Sequence, residues 1–433
     1  MARAFSSRAF ARCEIKLISL EMSRSTLSGS RLVTIWSILI GLAGQAALLV
    51  SGPLVARMLG AEHRGYLALF ILVPTLIPQI ACLGLPDAIP YHLAGDTRRL
   101  RGVVHAIRRA VVLQICVGTF LGGLVLISLT IGRPDDVQVA GFLSVPLVAC
   151  SLVHTYGLAV LQGLQMFARF QLLRIAPLAL YTVGAIYLFV AHVQSLVLVM
   201  LAYLVASLIT VGLVAVSLPR GLAATDETEW PTTTSLVRFG IRGWLGTATP
   251  SEALRLDHVI VGLLLSPSAL GLYVVGGSFS NLPRFIAQSV GLVTYPRIAA
   301  ESNTSLAIRS LKRHLIGVLL TGGLVAIVLA AACGVFIPIF FGSEFVGAVR
   351  VTQLLLFAAL PSSARRVIGD GLRGLGRPGA AAVGEIVTGV SLVAGLFLLV
   401  PVLHVEGAAV AVAASALCGV AVMLVEFRRL RDA

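Results

Sequence analysis

The sequence predicts an all-α, polytopic membrane protein of about twelve transmembrane helices in two pseudo-symmetric six-helix bundles. Three observations carry this prediction. Charged residues make up only 12 % of 433 positions and apolar residues 58 %, with a mean hydropathy of +0.96; soluble domains carry roughly 25 % charge. Long intervals contain no Asp, Glu, Lys or Arg, among them Arg31 to Arg57, Arg109 to Arg133, Asp136 to Arg169, Arg174 to Arg220, Arg313 to Glu344 and Glu406 to Glu426. The arginines between these intervals fall mostly into every second loop. A bilayer-crossing helix needs about 20 apolar residues, because lipid offers no partner to an unpaired backbone group.

The elements follow in order. Residues 1–30 read as a cytoplasmic N-terminal tail. Arg3, Arg8, Arg12 and Lys16 interrupt its short apolar patches, so it lacks the core of a signal peptide. Met22 opens a second plausible start. Apolar runs punctuated by Gly, Pro and charge then place helices at 33–55, 66–86, 106–130, 139–163, 171–191 and 196–218. The last two share one uncharged interval, divided by the polar turn Ala191-His192-Val193-Gln194-Ser195. A second set is expected at 237–264, 270–295, 315–339, 350–371, 379–401 and 407–426, the first of these interrupted by Arg242, Glu252, Arg255 and Asp257.

With the N-terminus inside, 27 of the 33 Lys and Arg lie in cytoplasmic segments. Arg57, Arg64, Arg133, Arg255 and Arg350 lie on or near the other side, and Arg284 lies within a span. This is the positive-inside pattern, and one span more or fewer would invert every later loop. It accounts for the net charge of +14 without nucleic acid. The implied divisions are an N-terminal bundle at 31–219, a cytoplasmic linker at 220–236, a C-terminal bundle at 237–427 and a basic cytoplasmic tail at 428–433.

Two segments resemble each other at an offset of 206 residues: Leu59, Gly65, Pro90 and Ala94 match Leu265, Gly271, Pro296 and Ala300. A displacement of six helices relates two halves of the same orientation, as in transporters built from repeats. The six cysteines form no CxxC pair, and His105, His154, His192, His314 and His404 are scattered. No disulfide framework, metal or cofactor is therefore expected. The GxxxxGK[ST] phosphate loop is absent as well, so ATP hydrolysis by that route is not expected.

The chain resembles the oligosaccharide flippases among polysaccharide biosynthesis proteins, in the multidrug/oligosaccharidyl-lipid/polysaccharide exporter superfamily. The resemblance runs from Arg31 to Glu426. It rests on Arg57-Met58-Leu59-Gly60 with Gly65, on Gly84-Leu85-Pro86-Asp87, and on Leu161-Gln162-Gly163-Leu164-Gln165 leading to Phe170 and Arg174. Further matches are Phe239-Gly240-Ile241-Arg242, Arg255-Leu256-Asp257, Gly271-Leu272-Tyr273, Pro296-Arg297-Ile298-Ala299 and the small-residue loop at Gly374–Arg377. It implies a non-enzymatic bacterial inner-membrane protein with both termini cytoplasmic. Such a protein moves a polyprenyl-pyrophosphate-linked oligosaccharide to the outer leaflet by alternating access. Implied partners are membrane lipids, a coupling ion (H+ or Na+), and the polysaccharide polymerase and glycosyltransferases. The alternative is an ion-coupled small-molecule or drug antiporter of the same superfamily. Against it, the N-terminal half has no compact acidic cluster.

Charges inside spans are costly in lipid and face protein or a watery path. Glu252, Arg255 and Asp257 either line a cavity or end a helix at the interface. Asn281, Arg284 and Gln288 are spaced three and four apart, so they form one polar stripe. Arginine's planar fork suits the phosphate that the resemblance implies. Arg284 otherwise pairs structurally with Asp257 or Glu385, and Glu385 is either that partner or a proton-coupling carboxylate. Asp87 caps a turn or serves transport; Arg57 and Arg64 sit at the outer rim, where they meet either phosphate or lipid headgroups. Arg98, Arg99, Arg101, Arg365 and Arg366 are expected to set orientation first.

The arginine distribution makes a topological prediction. Cysteine labels at 98, 228, 305, 374 and 430 report the cytoplasm, and those at 134, 192, 267, 345 and 404 the opposite side. Labelling of 228 and 345 from one side contradicts twelve spans.

Overall fold

The computed structural model describes residues 27–93, 100–219, 234–238, 240–241, 254–299, 301 and 303–432. Eleven α-helices account for most of them. They are α1 (Leu27–Ala81), α2 (Leu85–Leu93), α3 (Leu100–Ser128), α4 (Asp135–Gly163), α5 (Phe167–Val190) and α6 (Leu196–Ser217). There follow α7 (Leu256–Leu264), α8 (Pro267–Ala299), α9 (Thr304–Phe341), α10 (Ala348–Gly374) and α11 (Pro378–Asp432), with a 3-10 turn at Ser343–Phe345 between α9 and α10. Among the described residues, seven helices are long and apolar enough to cross a bilayer: α1, α3, α4, α5, α6, α9 and α11. Their outer faces carry side chains such as Phe120 and Leu398, each 71 % exposed, which suits a lipid solvent. The protein is thus an all-α polytopic membrane protein.

Two helices are too long to be one span. A straight helix of 55 residues would measure about 80 Å, well over twice the hydrocarbon thickness, and both 55-residue helices break. In α1 the break is Gly60, at φ 69° and ψ 179°, a conformation that glycine adopts without a Cβ clash. The Ala61 N–H freed beyond it donates to Glu344 Oε2 at 3.3 Å, so the 3-10 turn caps the second arm of α1. In α11 the break is His404, at φ 51°.

The expected helix at 237–264 requires correction. Residues 234–238 and 240–241 are helical, but α7 is a separate nine-residue helix starting at Leu256. Arg255 before it takes the left-handed conformation, φ 48°, which ends helical hydrogen bonding on its N-terminal side. Glu252, Arg242, the tail before residue 27 and most of the expected linker lie outside the described residues, as do Arg98 and Arg99.

Helices α1 to α6 pack on one another, with α4 against α6 and α3 and α1 against α5. In the other group, α10 is the hub, packed on α8, α9 and α11. The two groups meet chiefly where α1 lies against α8. Within the second group, Arg365 of α10 donates to Glu385 of α11, and both are buried, at 0 % and 4 % exposure.

That ion pair carries the prediction here. Removing one member leaves the other charge buried, which costs about 3–5 kcal/mol. Glu385→Leu should therefore melt well below the parent protein in a thermal-shift assay. The pair Arg365→Met/Glu385→Leu should recover most of the loss, and a double variant no better than Glu385→Leu contradicts the assignment.

Candidate functional site

A cavity of about 540 Å³ lies between α1, α5 and α6 on one side and α7, α8 and α10 on the other. Among the described residues its wall includes Arg64, Arg255, Arg284 and Arg366, against the one carboxylate of Asp257. The helices α8 and α10, absent from the seven apolar ones, supply many of its polar groups. Asn281, Arg284 and Gln288 all line it, so the stripe expected on α8 faces the cavity.

The carboxylate is held in place. Asp257 is 2 % exposed in the first turn of α7, where the helix N-terminus favours negative charge. Its Oδ2 accepts from the Tyr273 hydroxyl at 2.8 Å. His258 Nδ1 stands 3.2 Å from the other oxygen, and the imidazole Nε2 is 3.4 Å from Arg255 Nη1. On α10, Asp370 pairs with Arg366 at 3.1 Å and with Arg373 at 2.8 Å.

The cavity arginines differ in this respect. Among the described residues, Nε and Nη2 of Arg284 and Nε of Arg64 are buried without a hydrogen-bond partner. A guanidinium N–H shut away from water and left unmated is costly. These groups are therefore poised for an acceptor in the cavity.

Next to the cavity-lining Arg64 and Tyr273, the repeat-related segments meet in a tight backbone crossing. Gly65 of α1 lies against the Pro267 carbonyl, and Gly271 of α8 lies against the Ala61 carbonyl. A Cβ at either glycine would overlap the opposing backbone. Ala61 and Gly65 correspond to Pro267 and Gly271 at the 206-residue offset, so the contact is reciprocal. The breaks match too: Gly60 in α1 corresponds to Ser266, between α7 and α8. Beside this crossing, Arg57 donates to the Ile339 carbonyl of α9.

Of the residues singled out from sequence, Arg64, Arg255, Asp257 and Arg284 line the cavity together. Arg57, Asp87 and Glu385 do not. Arg57 sits beside the crossing, Asp87 in the first turn of α2, and Glu385 at the α10–α11 interface. Glu385 is thus the partner of Arg365 and not of Arg284. Sequence reasoning missed Arg366, which shares a run with Arg365 yet turns to the cavity. It also missed His258, Tyr181 and Tyr203. Tyrosines inside apolar helices carry no signal that separates wall from core.

Solved structures share this multipass α-helical fold. The chain is similar to the lipid II flippase MurJ in its inward closed conformation, with 12 % identity, a TM-score of 0.73, and coverage of 91 % of this chain and 87 % of that one. It is also similar to an inward-facing multidrug resistance MATE family transporter of the MOP superfamily (14 %, TM-score 0.66, coverage 92 % and 98 %). A MOP superfamily transporter from Pyrococcus furiosus, noted for the reverse polarity of its binding pocket, has 14 % identity, TM-score 0.58 and coverage of 92 % and 94 %. No curated protein sequence matches the chain significantly. The polysaccharide biosynthesis protein family matches residues 54–350, and the chain belongs to that family.

The crossing makes its own prediction. In an otherwise cysteine-free protein carrying Ser278→Cys on the cavity wall, Gly65→Leu or Gly271→Leu should force the helices apart. Thiol labelling from the crossing side should then rise several-fold. Unchanged labelling in both variants contradicts the closure.

Proposed function

We propose that the protein moves a polyprenyl-pyrophosphate-linked oligosaccharide from the cytoplasmic to the outer leaflet of the bacterial inner membrane by alternating access. The observation that carries this reading is the cluster of cavity guanidiniums, with buried N–H groups of Arg284 and Arg64 that make no hydrogen bond within the protein. A diphosphate supplies several anionic acceptors in the bidentate geometry that arginine matches. The likeness of fold to a lipid II flippase supports it.

The moving parts are the two six-helix halves, 31–219 and 237–427, joined by 220–236, with both termini cytoplasmic. The breaks at Gly60 and His404 allow α1 and α11 to cross the bilayer twice each, which supports the twelve-span topology. In this topology the Gly65–Gly271 crossing closes the outer face. The anionic headgroup enters from the cytoplasm while the polyprenyl tail stays in lipid. Rocking of the halves then exchanges the open side. A coupling ion, H+ or Na+, would act at Asp257, the carboxylate of the cavity wall. Polymerase and glycosyltransferases stand downstream and upstream of the step.

The drug-antiporter reading fits less well. A cationic drug would meet four arginines and one carboxylate, and like charges in a low-dielectric cavity repel strongly.

Arg284 provides the test. In proteoliposomes loaded with a lipid-linked oligosaccharide, Arg284→Ala should slow leaflet transfer per folded molecule by roughly tenfold or more, the value of a charge-assisted hydrogen bond. Arg284→Lys keeps the charge without the fork and should fall between. Abundance should hold in both, because Asp257 keeps Tyr273 as a partner. Parental transfer in Arg284→Ala contradicts the proposal.

A further inference from the structure

The two walls of the cavity differ in chemistry. Three of its four arginines and its carboxylate come from α7, α8 and α10: Arg255, Arg284, Arg366 and Asp257. The facing wall, from α1, α5 and α6, mixes aliphatic side chains such as Leu48, Leu49, Ile71 and Leu178 with polar, mostly uncharged ones. Its polar side chains include Gln45, Thr75, Gln79, Tyr181 and Tyr203, and its one charge among the described residues, Arg64, stands next to the crossing. The repeat does not impose this difference. At the 206-residue offset Asp257 corresponds to Ser51 and Arg284 to Pro78.

The neutral wall is firmly built. Tyr181 of α5, 6 % exposed, meets Tyr203 of α6 edge to face, with ring centroids 5.1 Å apart and planes at 76°. Thr182 beside it reaches the Ala47 carbonyl of α1 at 3.4 Å, tying the helix that carries Gln45 and Gln79 to the tyrosine pair. Amides and hydroxyls of this kind both donate and accept. An aromatic ring adds an electron-rich face that attracts the C–H groups of a sugar ring.

We infer that this wall is a carbohydrate subsite, which holds the sugar next to the diphosphate while α7, α8 and α10 hold the diphosphate itself. The inference rests on the flippase reading and adds to it an orientation for the headgroup and a group of specificity residues, Gln45, Gln79 and Tyr203. Sugar hydroxyls are uncharged and need paired donors and acceptors, which Gln45, Thr75, Gln79 and the tyrosine hydroxyls supply away from the three arginines of the other wall. A cavity of about 540 Å³ is within the range of sites that enclose a compact polar headgroup.

The test measures affinities of the purified full-length protein in nanodiscs by native mass spectrometry. The two probes are a bare polyprenyl diphosphate and the same lipid carrying one hexose. The parent protein should favour the sugar-bearing lipid by roughly tenfold, the scale of one aromatic contact with a hydrogen bond. In Tyr203→Leu and in Gln45→Leu that ratio should fall toward one, whereas Tyr203→Phe, which keeps the ring, should retain most of it. Arg284→Ala should weaken both lipids and preserve the ratio. Equal affinity of the parent for the two lipids, or an unchanged ratio in both Tyr203→Leu and Gln45→Leu, overturns the subsite alone. Failure of the parent to bind either lipid overturns the flippase reading with it.

Discussion

A guanidinium cannot face hydrocarbon, and much of this molecule follows from where its membrane-embedded arginines are sheltered. Two solutions are visible. Arg365 is neutralised by Glu385 inside the α10–α11 interface and serves packing. Arg284 and Arg64 instead have N–H groups buried without hydrogen-bond partners at a cavity between two groups of helices. The first arrangement sets a carboxylate directly against the guanidinium; the second leaves N–H groups open to an acceptor in the cavity. Arg366, the next residue on the same helix, lines the cavity and pairs with Asp370, so one residue step separates the helix interface from the cavity wall.

Beside the cavity two helix starts meet closely. Backbone contact at Gly65–Pro267 and Gly271–Ala61 is reciprocal across the repeat, so neither half can shift there without disturbing the other. Contacts of this type form and part without breaking side-chain ion pairs, which suits a closure that must reverse. The Glu344 cap on Ala61 and the Arg57 bond to Ile339 lie beside the crossing and join α1 to the segment around the end of α9.

Much of the fold was legible in the sequence. The expected 139–163 and 196–218 lie within a residue or a turn of Asp135–Gly163 and Leu196–Ser217, since uncharged runs there end in polar turns. The expected 315–339 falls short of Thr304–Phe341, because Arg309, Lys312 and Arg313 extend the helix beyond its apolar stretch. The break at Arg255 was illegible, as backbone geometry rather than composition sets it. At the site, Arg284 stood out through its three-and-four spacing with Asn281 and Gln288. Tyr181 and Tyr203 did not, and Arg365 and Arg366 could not be told apart, because only tertiary packing decides which side chain turns inward.

The most direct measurement of the central claim compares three lipids of equal tail binding to the purified protein: a polyprenol, its monophosphate and its diphosphate. If the cavity arginines exist to receive an anionic headgroup, affinity rises in that order, the rise shrinks with added salt, and inorganic pyrophosphate competes. Equal affinity for all three lipids, insensitive to salt, would contradict the account.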